Sequence, residues 1–110
     1  MYQAFYNIMR KGDEVPADAS VPIELADVYS DIFPMMKEDR EFFGLVDSKG
    51  TTLQAMYHSE EDNYWFEVPR PDLGGSFSTY LSFDEAAGLI KSIEGDFPLD
   101  GYSGFEFNSW

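Results

Sequence analysis

Residues 42–68 read FFGLVDSKGTTLQAMYHSEEDNYWFEV, and the fold class turns on them. Two apolar and aromatic runs, FFGLV at 42–46 and TTLQAMY at 51–57, flank Asp47-Ser48-Lys49-Gly50. That tetrapeptide suits a type I turn closed by a glycine in the left-handed region, a common connection between antiparallel strands. A second turn, Ser59-Glu60-Glu61-Asp62-Asn63, leads into YWFEV at 64–68, and Asn63 tolerates the positive φ such a turn needs. The three runs predict an antiparallel meander. Pro69 and Pro71 remove backbone donors and predict the end of the third strand. Leu73-Gly74-Gly75-Ser76 predicts a turn, and FSTYL at 77–81 a further short strand.

Downstream, Ser82-Phe83-Asp84-Glu85 has the spacing of a capping box: the Ser82 hydroxyl accepts from the Glu85 amide while the Glu85 carboxylate reaches back to the Ser82 amide. Asp84 and Glu85 also complement the positive end of the helix dipole. Phe83, Ala86, Ala87, Ile90 and Ile93 supply the apolar face of the helix, and Gly95 suits its C′ position. The final GFEFNSW alternates, with Phe105 and Phe107 on one face and Glu106, Asn108 and Trp110 on the other, and predicts a last strand.

Upstream, residues 2–9 (YQAFYNIM) predict an opening strand and residues 11–20 (KGDEVPADAS) a loop. Ser20 then caps a predicted helix with Pro22 in its first turn. Leu25, Val28, Tyr29 and Ile32 form one apolar stripe on that helix, and Pro34 makes Phe33 its stopping point. The architecture expected is α+β: an antiparallel sheet, made of a meander of hairpins plus a C-terminal strand, with one or two helices packed on one face. Phe5, Phe43, Phe66, Phe83, Phe105 and Phe107 are assigned to the core. Trp65 and Trp110 suit either core or surface.

With 110 residues the chain makes one domain, residues 1–110. Hydrophobic residues make up 44% of it and aromatics 17%, enough for a core and against a disordered tail. The apolar stretches are only a few residues long, so no membrane-spanning helix is expected. No basic segment followed by an apolar one opens the chain, and cysteine is absent, which excludes a disulfide framework, a thiol nucleophile and a Cys-based zinc site. A cytoplasmic setting is the simplest expectation. The formal net charge is −14, from 21 Asp and Glu against 7 Lys and Arg. Its spread is uneven: residues 1–55 hold ten acids and five bases, residues 56–110 eleven acids and two bases. This exceeds the ~2–8 that solubility alone asks of a small domain. It repels nucleic acid and anionic membrane and favours a basic partner.

No catalytic constellation emerges from the residues. His58 is the one imidazole, and Gly101-Tyr102-Ser103-Gly104 misses the G-x-S-x-G spacing of a nucleophile elbow. Leu73-Gly74-Gly75-Ser76 lacks the Lys and helix of a phosphate loop. Glu60-Glu61-Asp62-Asn63, and Asp96 with Asp100-Gly101, lack the alternating acidic rhythm of a calcium loop, so no metal or other cofactor is expected. Carboxylates interleaved with aromatics point instead to a surface that enters a basic cleft. Aromatic anchors supply the buried contacts there, while acids steer association. Glu60, Glu61, Asp62, Asp72, Asp96 and Asp100 are the candidates for electrostatic contacts, and Tyr64, Trp65, Tyr102 and Trp110 the candidate anchors.

Over residues 42–110 the chain resembles immunity proteins of bacterial polymorphic-toxin and interbacterial effector systems. The resemblance rests on Phe66-Glu67-Val68-Pro69 followed by a Gly-containing loop, and on the Ser-initiated helix Leu81-Ser82-Phe83-Asp84-Glu85-Ala86-Ala87-Gly88-Leu89-Ile90. Gly95, Pro98 and a closing strand ending at Trp110 complete it. It implies a small cytosolic protein that binds one cognate toxin domain and blocks its active site. Many such toxins are nucleases or nucleobase deaminases. Three alternatives stand beside it: a phage-type nucleic-acid mimic that inhibits a host defence enzyme, a carboxylate-dependent hydrolase, and a small-ligand-binding module.

Overall fold

The computed structural model describes residues 1–8 and 12–110. Met9 and Lys11, at the ends of the predicted opening strand and loop, lie outside the described residues. Among the described residues, eight strands form one antiparallel sheet: β1 (Tyr2–Ile8), β2 (Asp13–Val15), β3 (Val21–Ile23), β4 (Phe42–Val46), β5 (Thr52–His58), β6 (Asn63–Arg70), β7 (Gly75–Leu81) and β8 (Glu106–Ser109). The order across the sheet is β2-β1-β4-β5-β6-β7-β8, with β3 also on β1. The α+β class holds. The meander β4-β5-β6-β7 forms its centre as the sequence predicts.

The Asp47–Gly50 turn closes as expected, with the Gly50 amide donating to the Asp47 carbonyl at 3.2 Å and Gly50 at φ 85°. In the next turn the positive φ falls on Asp62 (51°) rather than Asn63, which already belongs to β6. The prolines do not end β6 where expected. It runs through Pro69 to Arg70, in register with Ser76 and Gly75 of β7. Its pairing with β5 stops at Glu67, so Pro69 lies where one side of the strand has no ladder and a missing N–H is harmless. Pro71 then opens a single 3₁₀ turn, Pro71–Leu73, and Gly75 is already in β7.

The first forty residues depart further from expectation. Ser20 caps nothing. The loop over 11–20 contains β2, and Val21–Ile23 with Pro22 forms β3, not the start of a helix. Both β2 and β3 pair with β1, so together they make one interrupted edge strand, where proline is tolerated. The helix starts later, as α1 (Leu25–Asp27), and continues through a wide π-type turn (Val28–Ile32) and a 3₁₀ turn (Phe33–Met35). The predicted stripe survives the shift: Val28 and Ile32 are buried, and Leu25 and Tyr29 pack against the core.

The second helix, α2 (Phe83–Ser92), carries the predicted capping box, with Glu85 N to Ser82 Oγ at 3.2 Å and Ser82 N to Glu85 Oε1 at 2.9 Å. Its C-cap is Ile93, and Gly95 adopts φ 64° two residues beyond. Both helical segments lie on one face of the sheet. The core between these layers holds Ala4, Phe43, Leu45, Leu53, Phe66 and Val68 from the strands and Val28, Phe33, Ala86 and Ile90 from the helices. Three phenylalanines assigned to the core lie elsewhere. Phe83, in the first turn of α2, stacks on Phe33 at 4.9 Å yet stays 47% exposed. Phe107 is 42% exposed because β8 lies at the sheet edge. Phe5 points to the opposite face, and its ring lies over Gly44, where even a Cβ would come within 2.0 Å of Phe5 Cζ. Phe105 is partly buried against the core as expected.

Candidate functional site: the uncovered sheet face

Side chains alternate along each strand, so one face of the sheet meets the helices and the other does not. The register places Phe42, Met56, Trp65 and Tyr80 in one row across four strands of the uncovered face. Phe5 joins the row through Phe42, with ring centroids 6.4 Å apart. His58 closes its far end, packed edge-on against Tyr80 at 5.6 Å. A shallow cavity of about 170 Å³ opens in this row, lined by Phe42, Gln54, Ala55, Met56 and Trp65.

The adjacent row is polar. Gln54, Glu67, Ser78 and Glu106 lie side by side on β5, β6, β7 and β8. Glu67 is only 5% exposed, and its Oε1 accepts from Gln54 Nε2. Asn108 Nδ2 donates to Ser78 Oγ at 3.0 Å. Among the described residues no cation forms an ion pair with Glu67.

No family model, curated protein or solved structure matches the chain. Geometry and chemistry therefore carry the functional reading.

The acidic candidates sit at the two ends of the sheet. At one end, Glu60, Glu61 and Asp62 form the β5–β6 turn, and Glu60 and Glu61 line a shallow cleft with Asp39, Arg40 and His58. Glu60 and Glu61 make no ion pair among the described residues. Asp62 Oδ1 accepts from the Tyr57 hydroxyl at 2.9 Å, which holds the Tyr57 pKa above its ordinary value. The Ser59 amide, donating to Asp39 at 2.9 Å, holds the Asp39 carboxyl below the usual range.

At the other end, Asp72 and Asp100 share Arg70. Its guanidinium grips Asp72 through Nε at 3.0 Å and an Nη at 2.8 Å, and reaches Asp100 at 3.3 Å. Arg70 thereby holds the Asp72 carboxyl low. Asp96 accepts from Ser48 Oγ at 2.6 Å and Ser48 N at 3.2 Å, with Lys49 Nζ at 4.0 Å, and the Ser48 hydroxyl lowers its pKa most. These three carboxylates are partly committed within the protein, and those at Glu60 and Glu61 have no such partner among the described residues.

The aromatic candidates scatter too. Trp65 is in the uncovered row. Tyr64, its neighbour in sequence, necessarily faces the other way: it is 5% exposed among Phe33, Tyr57 and Phe83, and offers a partner no ring surface. Burial pushes its pKa up to about 12. Tyr102 packs against the core and Phe105, its pKa likewise raised by burial to about 12. Trp110 is 71% exposed, and its amide donates to the Gly74 carbonyl at 2.9 Å.

Sequence reasoning missed Phe5, Phe42, Met56 and Tyr80 as companions of Trp65, and the Gln54–Glu67 pair beside them. The signal was available in parity: once the Asp47–Gly50 turn sets the β4–β5 register, residues 42, 44, 54 and 56 share a face. Among the described residues no three His, Asp or Glu side chains converge as metal ligands, and no helix is long and apolar enough to cross a membrane.

Proposed function

We propose that the chain is a non-catalytic, acidic inhibitor of the immunity-protein kind, acting in the cytoplasm on a cognate toxin that attacks nucleic acid. The observation that carries this reading is an aromatic row on an uncovered sheet face, bordered at one end by Glu60 and Glu61, which make no ion pair among the described residues, in a chain of net charge −14. Protein interfaces combine an aromatic centre with a polar rim, and the centre carries most of the binding energy. Acids at the rim steer a basic partner and reject acidic ones. Enzymes acting on nucleic acid present basic clefts to the phosphates, so an inhibitor that enters such a cleft needs this charge. A phage-type mimic of nucleic acid has the same physics, and the identity of the partner separates the two.

The test is affinity capture from lysate of the source organism at moderate salt, followed by assay of the purified partner. The expected partner is a basic toxin domain that loses its activity with one equivalent of this protein. Retention of full activity in the saturated complex overturns the inhibitor reading, as does failure to capture any basic protein from cells shown to express the toxin.

A further inference from the structure

The cavity in the aromatic row has a chemistry of its own. Its volume, about 170 Å³, is below the ~300 Å³ at which pockets for small molecules begin, so it suits one inserted side chain. It is lined by two aromatic residues, Phe42 and Trp65, with Met56, Ala55 and Gln54. Gln54 donates its amide N–H to Glu67, which leaves its carbonyl oxygen as an acceptor without a protein partner among the described residues. Behind it, Glu67 is 5% exposed as a residue, and among the described residues its carboxylate has that neutral amide as its side-chain partner. A largely buried acidic side chain without a cationic partner leaves room for one, and a guanidinium with good hydrogen-bond geometry makes the pairing favourable.

We infer that this cavity is a socket for an arginine side chain of the protein partner, its guanidinium stacked on Trp65 and donating to Gln54 Oε1 beside the Glu67 carboxylate. The inference rests on the reading of the chain as a binder of a basic protein and deepens it. Arginine fits where lysine does not. Its planar, weakly hydrated guanidinium stacks on aromatic faces, and its fork of donors can meet the amide oxygen and the carboxylate edge together. Lysine is a strongly hydrated point charge that would have to shed water against Phe42 and Met56. Phe5, locked over Gly44 and tilted against Phe42, supports the wall from behind. The socket also gives the acidic turn a division of labour: Glu60 and Glu61 act at long range on encounter, and Glu67 at contact.

The test needs no knowledge of the partner. N-acetyl-arginine amide is titrated into the full chain while the indole N–H resonances of Trp65 and Trp110 are followed by NMR. N-acetyl-citrulline amide, the neutral isostere, and N-acetyl-lysine amide serve as comparisons. The expected result is a saturable shift of Trp65 alone, with Kd on the order of millimolar. Citrulline binds at least about tenfold more weakly, as does arginine to Glu67→Gln, because a charge-assisted hydrogen bond is lost in each. Trp65→Leu, followed through the Met56 methyl, loses the stacking wall and keeps the carboxylate, so it tests the socket if Glu67→Gln fails to fold. An unmoved Trp65, equal shifts with citrulline, or undiminished binding to a folded Glu67→Gln overturns the socket. Inhibition of a captured toxin with no probe binding refutes the socket alone. Probe binding with a captured partner that stays active refutes the inhibitor reading alone.

Discussion

Asp47 is the side chain on which the turn end of the sheet depends. It is 8% exposed, and its carboxylate accepts three backbone N–H groups: Lys49 and Thr51 on Oδ1, each at 2.9 Å, and Phe97 on Oδ2 at 2.8 Å. The first two close the β4–β5 turn. The third ties that turn to the segment after α2, where Phe97 is buried and stacks on Tyr2 at 5.3 Å. Asp47→Asn keeps an oxygen for the turn amides but directs an NH₂ at the Phe97 N–H, donor against donor. Losing a hydrogen bond to a charged group costs about 1.5–3 kcal/mol, so Asp47→Asn should destabilise by ~2–3 kcal/mol. In Asp47→Ala the turn amides gain water in place of the carboxylate, adding about 0.5–1.5 kcal/mol each, for a total of ~3–6 kcal/mol. Such a loss is a large part of the 5–15 kcal/mol that holds a typical domain, and ~2 kcal/mol lowers Tm by roughly 8–16 °C in a chain of this size. Removing one of many like charges works in the opposite sense, by only tenths of a kcal/mol at ordinary salt. Urea melts of the three proteins give the free energies, and hydrogen exchange localises the cause. In Asp47→Asn the Phe97 amide should lose protection while the Lys49 and Thr51 amides keep theirs. An Asp47→Asn protein within about 0.5 kcal/mol of the parent, with Phe97 still protected, refutes the argument.

Ser82→Ala removes one half of the capping box and should cost ~1 kcal/mol, read as a lower urea midpoint at unchanged slope; an unchanged midpoint would show that α2 is held by packing alone. Gly44→Ala forces the Phe5 ring off the sheet at a cost of about 1–3 kcal/mol, and the accompanying loss of Phe5–Phe42 contact is visible as new ring-proton shifts. Stability should pass through a maximum on acidification. Between pH 7 and about 5 protonation relieves self-repulsion. Asp39, Asp72 and Asp96 titrate below their ordinary 3.8 and Glu85 below its ordinary 4.5, so their contribution is full above those values and is lost as pH falls through the lowered ones. Thermal melts that keep rising below about pH 3.5 would contradict this. At the alkaline side Tyr64 and Tyr102, raised from 10.0 to about 12, contribute stability below pH 10 that disappears as pH climbs to about 12, so their ionisation should coincide with unfolding. Association with a basic partner should slow at least about tenfold between low and physiological salt, and a rate indifferent to salt would leave the acidic rim without a steering role.

The sequence alone determined the features written in neighbouring residues. Asp47–Gly50 specifies its turn because a glycine can adopt positive φ and an aspartate can accept the turn amides. Ser82 and Glu85 specify a helix start because their spacing lets each side chain cap the other's backbone. The meander follows from the turns and the alternation between them. Where two readings were locally equal, tertiary pairing decided. Pro22 suits the first turn of a helix as well as an edge strand, and the free edge of β1 selected the strand. Pro69 suits a strand end as well as a strand paired on one side, and the stop of the β5–β6 ladder at Gln54 and Glu67 selected the latter. The candidate site is the sharper case. Neighbouring Tyr64 and Trp65 looked equivalent as anchors, but alternation sends one into the core and the other onto the uncovered face, and only the position of the helices says which. Asp72, Asp96 and Asp100 looked as free as Glu60 and Glu61 until folding brought Arg70, Ser48 and Lys49 to them. The Gln54–Glu67 pair joins residues on different strands, thirteen apart in sequence, and its burial comes from neighbours that only the assembled sheet supplies.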